Sequence, residues 1–115
     1  MPPTQEDRLR DILEAIADIE ALWDQRTLAD FTSNRIARMA TERLLEIVCE
    51  ASRRLSDEIK ASAPEIDWRT IIDFGNVLRH AYRATRTELV WDIVRSDLPT
   101  LKAFAEKQMR QRSGS

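Results

Sequence analysis

Apolar residues recur at intervals of three and four along nearly the whole chain, which is the spacing of one face of an α-helix. The first such run occupies Leu9, Ile12, Leu13, Ile16, Ile19 and Trp23. Thr4 precedes this run and is a residue type that caps helix N-termini with its hydroxyl. The pattern therefore predicts a first helix from about Gln5 to Gln25.

A second helical pattern follows residues 27–33, TLADFTS, which interrupt the periodicity and offer Thr32 or Ser33 as a cap. Its apolar positions are Ile36, Met39, Ala40, Leu44, Ile47, Val48, Ala51, Leu55 and Ile59. The spacing predicts one long helix that ends near Ala61. Pro64 accounts for that end, because proline donates no backbone hydrogen bond and disfavours the α conformation in the residue before it.

Three further helices are predicted in the second half of the chain. Asp67 is a cap for a third helix over residues 68–83, and Thr87 is a cap for a short fourth helix. Residues 96–99, SDLP, combine a cap with a proline in the first turn, which is typical of the start of a fifth helix. The tail over residues 110–115 is expected to fray.

Two glycines and four prolines in 115 residues leave few helix breakers. The sequence predicts an all-α fold, an antiparallel bundle of four to five helices in a single domain over residues 1–115. A domain of this size buries a modest fraction of its surface, so association with a second copy is expected. Leu45, Cys49, Trp23 and Trp91 lie outside the main stripes or at helix ends, and we expect them to add apolar surface for such contacts.

Charged residues make up 33% of the chain, but the net charge is only −2, so the surface is of mixed sign and does not attract nucleic acid as a whole. No signal peptide or membrane span is evident, which predicts a cytoplasmic protein. The single cysteine and single histidine cannot supply a usual zinc shell, and no phosphate-binding glycine loop is present. We expect neither a metal nor a cofactor, and Cys49 to be a small buried hydrophobe.

The third predicted helix carries the polar groups best suited to chemistry. One arc of its helical wheel holds Asn76, Arg79, His80 and Arg83, and the opposite arc holds Ile71, Phe74, Val77, Leu78 and Ala81. Gly75 and Tyr82 fall on the border. Residues 75–86 also include Arg86 and contain no acid, so this stretch is locally positive. The carboxylates Glu42, Glu46 and Glu50 of the second helix are interpreted as a solvated face paired with arginines.

These residue types suit the cleavage of RNA without a metal. That reaction needs a group titrating near neutral pH to move the ribose 2′-hydroxyl proton, and cations to stabilise the charged phosphorane. Histidine titrates in that range, arginine recognises phosphate with its planar guanidinium, and tyrosine can stack on a base. Arginine-rich helices that bind without catalysis are also common, so both interpretations stay open.

The same residues carry a family resemblance. Residues 66–101 resemble the C-terminal half of HepT-like proteins of the HEPN superfamily. The matching positions, in order, are Trp68, Asn76, His80, Tyr82, Val90, Trp91 and residues 98–101, LPTL. Upstream, residues 47–51, IVCEA, resemble the family's helix that ends in Glu-Ala.

The resemblance implies an α-helical homodimer whose paired motif helices form the cleft of a metal-independent endoribonuclease. Our hypothesis for the site is His80 as the acid/base, Arg79 and Arg83 on phosphate and Asn76 orienting the site, with Tyr82 and Arg86 as further substrate contacts. Such proteins are typically toxins of bacterial toxin–antitoxin pairs. Their antitoxin, an MNT-type nucleotidyltransferase, can adenylylate the motif tyrosine, which here is Tyr82.

The chain departs from the family at one position, because Gly75 stands where the motif arginine is expected. The glycine either permits close helix approach across a dimer or marks a non-catalytic module that binds a partner or RNA. Arg79, one turn further along, is within reach of the same place. Since adjacent helical residues do not face one another, we expect Arg79 of one subunit to act with His80 of the other.

Overall fold

A computed structural model describes residues 2–80 and 87–113 of the chain. It contains α1 (Gln5–Trp23), α2 (Leu28–Ser33), α3 (Arg35–Arg54), α4 (Asp57–Ala61), α5 (Trp68–His80), α6 (Thr87–Asp92), a π-helical turn (Ile93–Asp97) and α7 (Leu98–Ser113). Within these described ranges every regular element is helical, so the predicted all-α bundle is confirmed.

Helix α3 is the centre of the bundle, since it packs against both α1 and α5, and α1 also packs against α7. An aromatic cluster joins α1, α2 and α6, with ring centroids 4.8 Å apart for Trp23 and Phe31 and 5.1 Å apart for Phe31 and Trp91. Trp23 is 4% exposed and Trp91 is 9% exposed. The expectation that these two tryptophans supply surface for a partner is therefore wrong, because they pack on each other and on Phe31.

The first helix begins as predicted and ends two residues early. The Thr4 hydroxyl accepts a hydrogen bond from the Asp7 backbone N–H at 3.1 Å, and the Asp7 carboxylate accepts one from the Thr4 N–H at 2.8 Å. This reciprocal capping box satisfies two amides that a helix N-terminus leaves unpaired. The helix stops at Trp23, because Gln25 has a φ of 58°, in the left-handed region.

Residues 27–33 do not simply interrupt the helical pattern, because α2 forms there. Thr27 and Asp30 build a second capping box, and the ring of Phe31 is fully buried. Six residues are less than two helical turns, too few to show a 3.6-residue period. The cap of α3 is then Asn34 and not either of the two predicted residues. Its side-chain oxygen accepts from the Ala37 N–H at 3.0 Å.

The long second helix predicted from the sequence is in fact two helices, α3 and α4. Leu55 has extended backbone angles, with φ −65° and ψ 146°. Ser56 caps α4 by accepting from the Ile59 N–H at 3.1 Å, and its own N–H donates to Gln5 Oε1 at 2.7 Å. Because α1 satisfies this amide, the chain can leave the helical ladder at Leu55 without an unpaired donor.

The predicted apolar stripe of α3 is wrong in its N-terminal half, where Ile36 is 78% exposed and Met39 is 53% exposed. The buried residues of α3 are Thr41, Leu45, Val48, Cys49, Ala51 and Ser52. Thr41 tolerates burial because its hydroxyl accepts from Trp23 Nε1 at 2.7 Å and donates to the Ala37 carbonyl at 2.7 Å. Leu45 and Cys49 belong to the core, so they are not surplus surface as expected.

The C-terminal region has no break between α6 and α7, since the π-helical turn joins them. The predicted separate cap before the last helix is therefore wrong, although Pro99 does lie in the first turn of α7. The helix continues to Ser113, so residues 110–113 of the predicted tail are helical. None of the helices in the described ranges is both long and apolar enough to cross a membrane.

Candidate active site

Helix α5, which carries the predicted site, is fixed at its N-terminus by polar and aromatic contacts. The predicted cap is confirmed, because the Asp67 carboxylate accepts from the Thr70 N–H at 3.1 Å and from the Thr70 hydroxyl at 2.7 Å. Trp68 Nε1 donates to the Lys60 carbonyl at 2.9 Å, and its ring packs edge-on to Phe104. The start of α5 is thereby tied to α4 and α7.

The polar arc of α5 faces outward as predicted, since Asn76, Arg79 and His80 are all exposed. Gly75, which was placed on the border, is buried, whereas Val77, which was placed on the inner arc, is 46% exposed. Positions 75 and 77 lie about 160° apart on a helix, so burying one exposes the other. Compared with the prediction, α5 is therefore rotated about its own axis so that Gly75 faces the core.

Gly75 is explained by a close approach of α5 to α3 within the chain. A Cβ atom built at Gly75 would lie 2.8 Å from Cys49 Cβ, closer than real side chains come. A side chain of any size at position 75, arginine included, would push the two helices apart. Burial raises the pKa of the Cys49 thiol to about 12, so this buried cysteine stays protonated. Cys49 is therefore the small buried hydrophobic residue that the sequence predicts.

Arg79 lies in a groove beside the glycine. The groove has a volume of about 220 Å³ and is formed between α1, α3 and α5. Arg79 Nη2 donates to Asn76 Oδ1 on its own helix, and Arg79 Nη1 lies 3.7 Å from Glu50 Oε2 on α3. The guanidinium is therefore held from two sides, in a groove that Gly75 also lines.

Glu50 is the residue of this site that sequence reasoning missed. Its carboxylate accepts from Arg53 Nη2 at 2.8 Å and from Arg54 Nε at 3.0 Å, and it also meets Arg79. The hydrogen bonds from Arg53, followed by those from Arg54, lower the pKa of Glu50 to about 2. The Glu-Ala of the family resemblance was the only signal, because Glu50 and Arg79 are far apart in sequence.

The salt-bridge interpretation of the acidic row holds for Glu46, which pairs with Arg43 at 3.2 Å. The positive charge predicted for α5 is partly offset, however, because Glu50 faces Arg79 from α3. Four arginines and three carboxylates line the groove: Arg8, Arg43, Arg53, Arg79, Asp11, Glu46 and Glu50. The groove is therefore of mixed charge and not the acid-free patch that the local sequence predicts.

His80 is exposed at the end of the described part of α5 and does not line the groove that holds Arg79. Adjacent helical residues project about 100° apart, so one chain does not aim both side chains at one point. Tyr82, Arg83 and Arg86 lie outside the described residues. Over residues 2–80 and 87–113, no group of three or more histidine, cysteine, aspartate or glutamate side chains is placed to share a metal ion.

The arrangement supplies two elements of phosphate chemistry, a guanidinium fixed by Asn76 and Glu50 and a solvent-facing imidazole on the same helix. The guanidinium can bind a phosphate oxygen, and the imidazole can accept or donate a proton. The two groups diverge on one chain, so a single copy presents them on different sides of α5.

Comparisons with known proteins identify the family of this chain. Residues 12–108 match the family model described as Ribonuclease HepT-like. A protein of Thermococcus cleftensis named "Probable ribonuclease HepT" is 36% identical over 107 residues, which cover 93% of this chain and 97% of that protein. A Methanocaldococcus jannaschii protein named "Putative RNase" is 33% identical over 98 residues, covering 85% of this chain and 90% of its own length. No solved structure matches at a comparable significance.

The family match covers most of the chain and includes all of α3 and α5, the helices that hold Glu50, Gly75 and Arg79. Its span and the identity to full-length relatives agree with the resemblance carried by His80 and its neighbours. The chain belongs to the HepT-like ribonuclease family of the HEPN type.

Proposed function

We propose that this protein is a metal-independent endoribonuclease in which His80 moves protons and Arg79 binds the scissile phosphate. The observation that carries the proposal is the placement of Arg79, which Asn76 and Glu50 hold in the groove that Gly75 also lines. An arginine is thereby fixed beside the position where the family pattern has one, although it comes from the next turn of the helix. Family membership makes RNA the substrate to test first.

The reaction follows from these groups. Neutral His80 accepts the proton of a ribose 2′-hydroxyl, and the 2′-oxygen attacks phosphorus as the bond to the 5′-oxygen breaks. The products are a 2′,3′-cyclic phosphate and a free 5′-hydroxyl, the latter receiving a proton from an imidazolium. Arg79 stabilises the negative charge of the phosphorane, and Asn76 orients Arg79. Tyr82 stacks on a base, and Arg83 and Arg86 bind flanking phosphates.

The site is completed in a homodimer. One chain projects Arg79 and His80 in different directions, so two α5 helices that face each other would bring Arg79 of one copy to His80 of the other. Exposed apolar residues support such contacts, since Val77 on α5 is 46% exposed and Ile36 on α3 is 78% exposed. The mixed charge of the groove is also suited to pairing with a second copy of itself.

In the cell the protein acts as the toxin of a bacterial toxin–antitoxin pair in the cytoplasm. Its partner is an MNT-type nucleotidyltransferase, which silences the toxin by adenylylating Tyr82. The family resemblance of the α5 region supports this assignment. Mass measurement of the intact protein after co-expression with such a partner would detect the added nucleotide, and Tyr82→Phe should abolish it.

The nuclease is tested with purified wild type and His80→Ala protein incubated with RNA in a chelator. Wild type should produce 2′,3′-cyclic phosphate ends, and His80→Ala should not. Arg110→Ala is a matched control, because Arg110 is an exposed cation in the last turn of α7, on another part of the surface. Equal cleavage by His80→Ala and wild type would contradict the proposed role of His80.

A second candidate function is an inactive HEPN-type module that binds RNA or a partner protein. Gly75 in place of the motif arginine and the contact between Glu50 and Arg79 favour it, since both reduce the free positive charge of the site. In this case wild type would retain RNA on a filter but leave it intact. RNA binding without cyclic phosphate ends would select this candidate.

A further inference from the structure

We propose that Glu50 is a positioning residue, which acts through Arg79 by fixing its guanidinium within the groove between α1, α3 and α5 in the orientation that receives phosphate. The inference rests on the proposed function and adds to it a residue on α3. It starts from a contact that joins the predicted site to another helix, the 3.7 Å approach of Arg79 Nη1 to Glu50 Oε2.

Glu50 is itself rigidly held. Both of its oxygens accept from Arg53, at 2.8 and 3.2 Å, and Oε1 also accepts from Arg54 at 3.0 Å. Its sequence neighbours Cys49 and Ala51 are buried in the core, so the backbone that carries the carboxylate is anchored. A carboxylate fixed in this way can hold a longer, more flexible side chain in one position.

The Arg79 side chain needs a fixed contact of this kind. Among the described residues its other polar contact is with Asn76, one turn away on its own helix, and that contact alone does not fix the guanidinium relative to α3. A free arginine side chain loses rotamer entropy on ordering, and a second contact made before substrate arrives removes part of that loss from the binding step. The guanidinium has five N–H donors, so the two contacts leave donors for phosphate.

The charges around Glu50 indicate that it positions Arg79 and does not neutralise it. Glu50 makes its shortest contacts with Arg53 and Arg54, and its approach to Arg79 is the longest of the three. One carboxylate among three guanidinium groups leaves the cluster positive, so Arg79 still attracts an anion. Gly75 contributes indirectly, because the absence of a side chain lets α5 approach α3 closely enough for Arg79 to reach Glu50.

The test is a double-mutant cycle on RNA cleavage. Glu50→Gln should lower kcat roughly 10- to 100-fold with a smaller change in KM, because a misplaced group weakens the transition state more than substrate binding. In an Arg79→Ala background the same substitution should change kcat less than about twofold, since the residue acts through Arg79. Glu50→Asp should restore part of the rate. Glu20→Gln is the matched control, because Glu20 also pairs with a cation on another helix, Lys102 at 3.0 Å, and does not line this groove.

A second readout does not depend on cleavage. In ¹⁵N NMR spectra the side-chain Nε–H signal of Arg79, assigned by its loss in Arg79→Lys, should shift or broaden in Glu50→Gln and stay unchanged in Glu20→Gln. An unchanged Arg79 signal, or kcat equal to or above that of wild type in folded Glu50→Gln, would overturn the proposal. If wild type cleaves no RNA, the nuclease assignment fails, and the Arg79 signal still decides whether Glu50 positions that side chain.

Discussion

Gly75 on α5 faces Cys49 on α3 so closely that a Cβ atom at position 75 would lie 2.8 Å from Cys49 Cβ. This contact sets the distance between the two helices that carry the candidate site. It also accounts for a glycine within a helix, where glycine is less favourable than alanine by about 1 kcal/mol. The position is therefore determined by packing inside the chain.

Gly75→Ala should destabilise the protein despite the higher helix propensity of alanine. The added methyl group overpacks the contact with Cys49, and overpacking costs about 1–3 kcal/mol, more than the propensity gain of about 1 kcal/mol. Urea unfolding followed by circular dichroism measures the difference. In a Cys49→Gly background, which removes the opposing Cβ, the same substitution should be neutral or stabilising. Equal effects in both backgrounds would contradict the close contact.

Gly75→Arg restores the arginine of the family pattern and should nevertheless fail to raise RNA cleavage. Its Cβ meets the same obstacle, and its longer side chain would enter the groove that Arg79 occupies. We expect a larger loss of stability than for Gly75→Ala and a cleavage rate below that of wild type. A rate above wild type in a protein that remains folded would show that the arginine of the next turn is a weak substitute.

The sequence predicted best the features that depend on neighbours along the chain. The caps at Thr4 and Asp67 were found because their partners lie three residues away. The predicted buried face of α3 was wrong, because hydropathy alone places the apolar Ile36 in the core and the polar Thr41 on the surface. Thr41 can be buried because its hydroxyl accepts a hydrogen bond from Trp23. This contact joins two helices, so the spacing of apolar residues within one helix does not reveal it.

In the candidate site, too, the features that depend on local spacing were predicted and those that depend on contacts between helices were not. The outward direction of Asn76, Arg79 and His80 follows from helical spacing and was predicted. The contact between Arg79 and Glu50 was not, because it depends on how closely α5 approaches α3. That approach in turn depends on Gly75, whose role became clear only from the position of the opposing side chain.

Thr41→Val should reduce the free energy of unfolding by about 1–3 kcal/mol, although valine has nearly the same shape as threonine. The substitution leaves the buried Trp23 Nε1–H without its acceptor, and an unpaired buried donor carries a cost of that size. Thr41→Ser is the matched control, since it keeps the hydroxyl and loses only a methyl group. Urea unfolding should give a clearly smaller loss for Thr41→Ser; a larger loss for serine would mean that packing dominates at this position.

Acid should weaken the contribution of Glu50 to stability over a defined range. Its pKa falls from an ordinary value of 4.5 to about 2 in the folded protein, chiefly through the hydrogen bonds from Arg53. A lowered pKa stabilises the folded state above the unfolded pKa, and that contribution is lost as the pH falls toward about 2. The difference in unfolding free energy between wild type and Glu50→Gln should therefore be constant above about pH 5 and shrink below it.

The size of that difference should be about 1 kcal/mol or less, because the pair is partly exposed and solvent screens it. Unfolding measured at several pH values in both proteins gives the difference directly, and other carboxylates that titrate in the same range cancel between them. A difference that grows on acidification would contradict the assigned hydrogen bonds.

Mixed dimers of Arg79→Ala and His80→Ala chains should cleave RNA, although each mutant homodimer should not. If Arg79 of one copy acts with His80 of the other, the mixed dimer retains one intact composite site of the two in wild type. The two chains, carrying different affinity tags, are co-expressed and purified through both tags, and cleavage is measured per dimer. Activity near half that of wild type is expected.

A doubly mutated chain paired with wild type is the control for the mixed dimers. In that dimer each composite site lacks one of the two side chains, so the arrangement across subunits predicts no activity. If both groups act within one chain, the control keeps one intact site and the mixed dimer has none, which reverses the result. The divergent directions of Arg79 and His80 on α5 favour the arrangement across subunits.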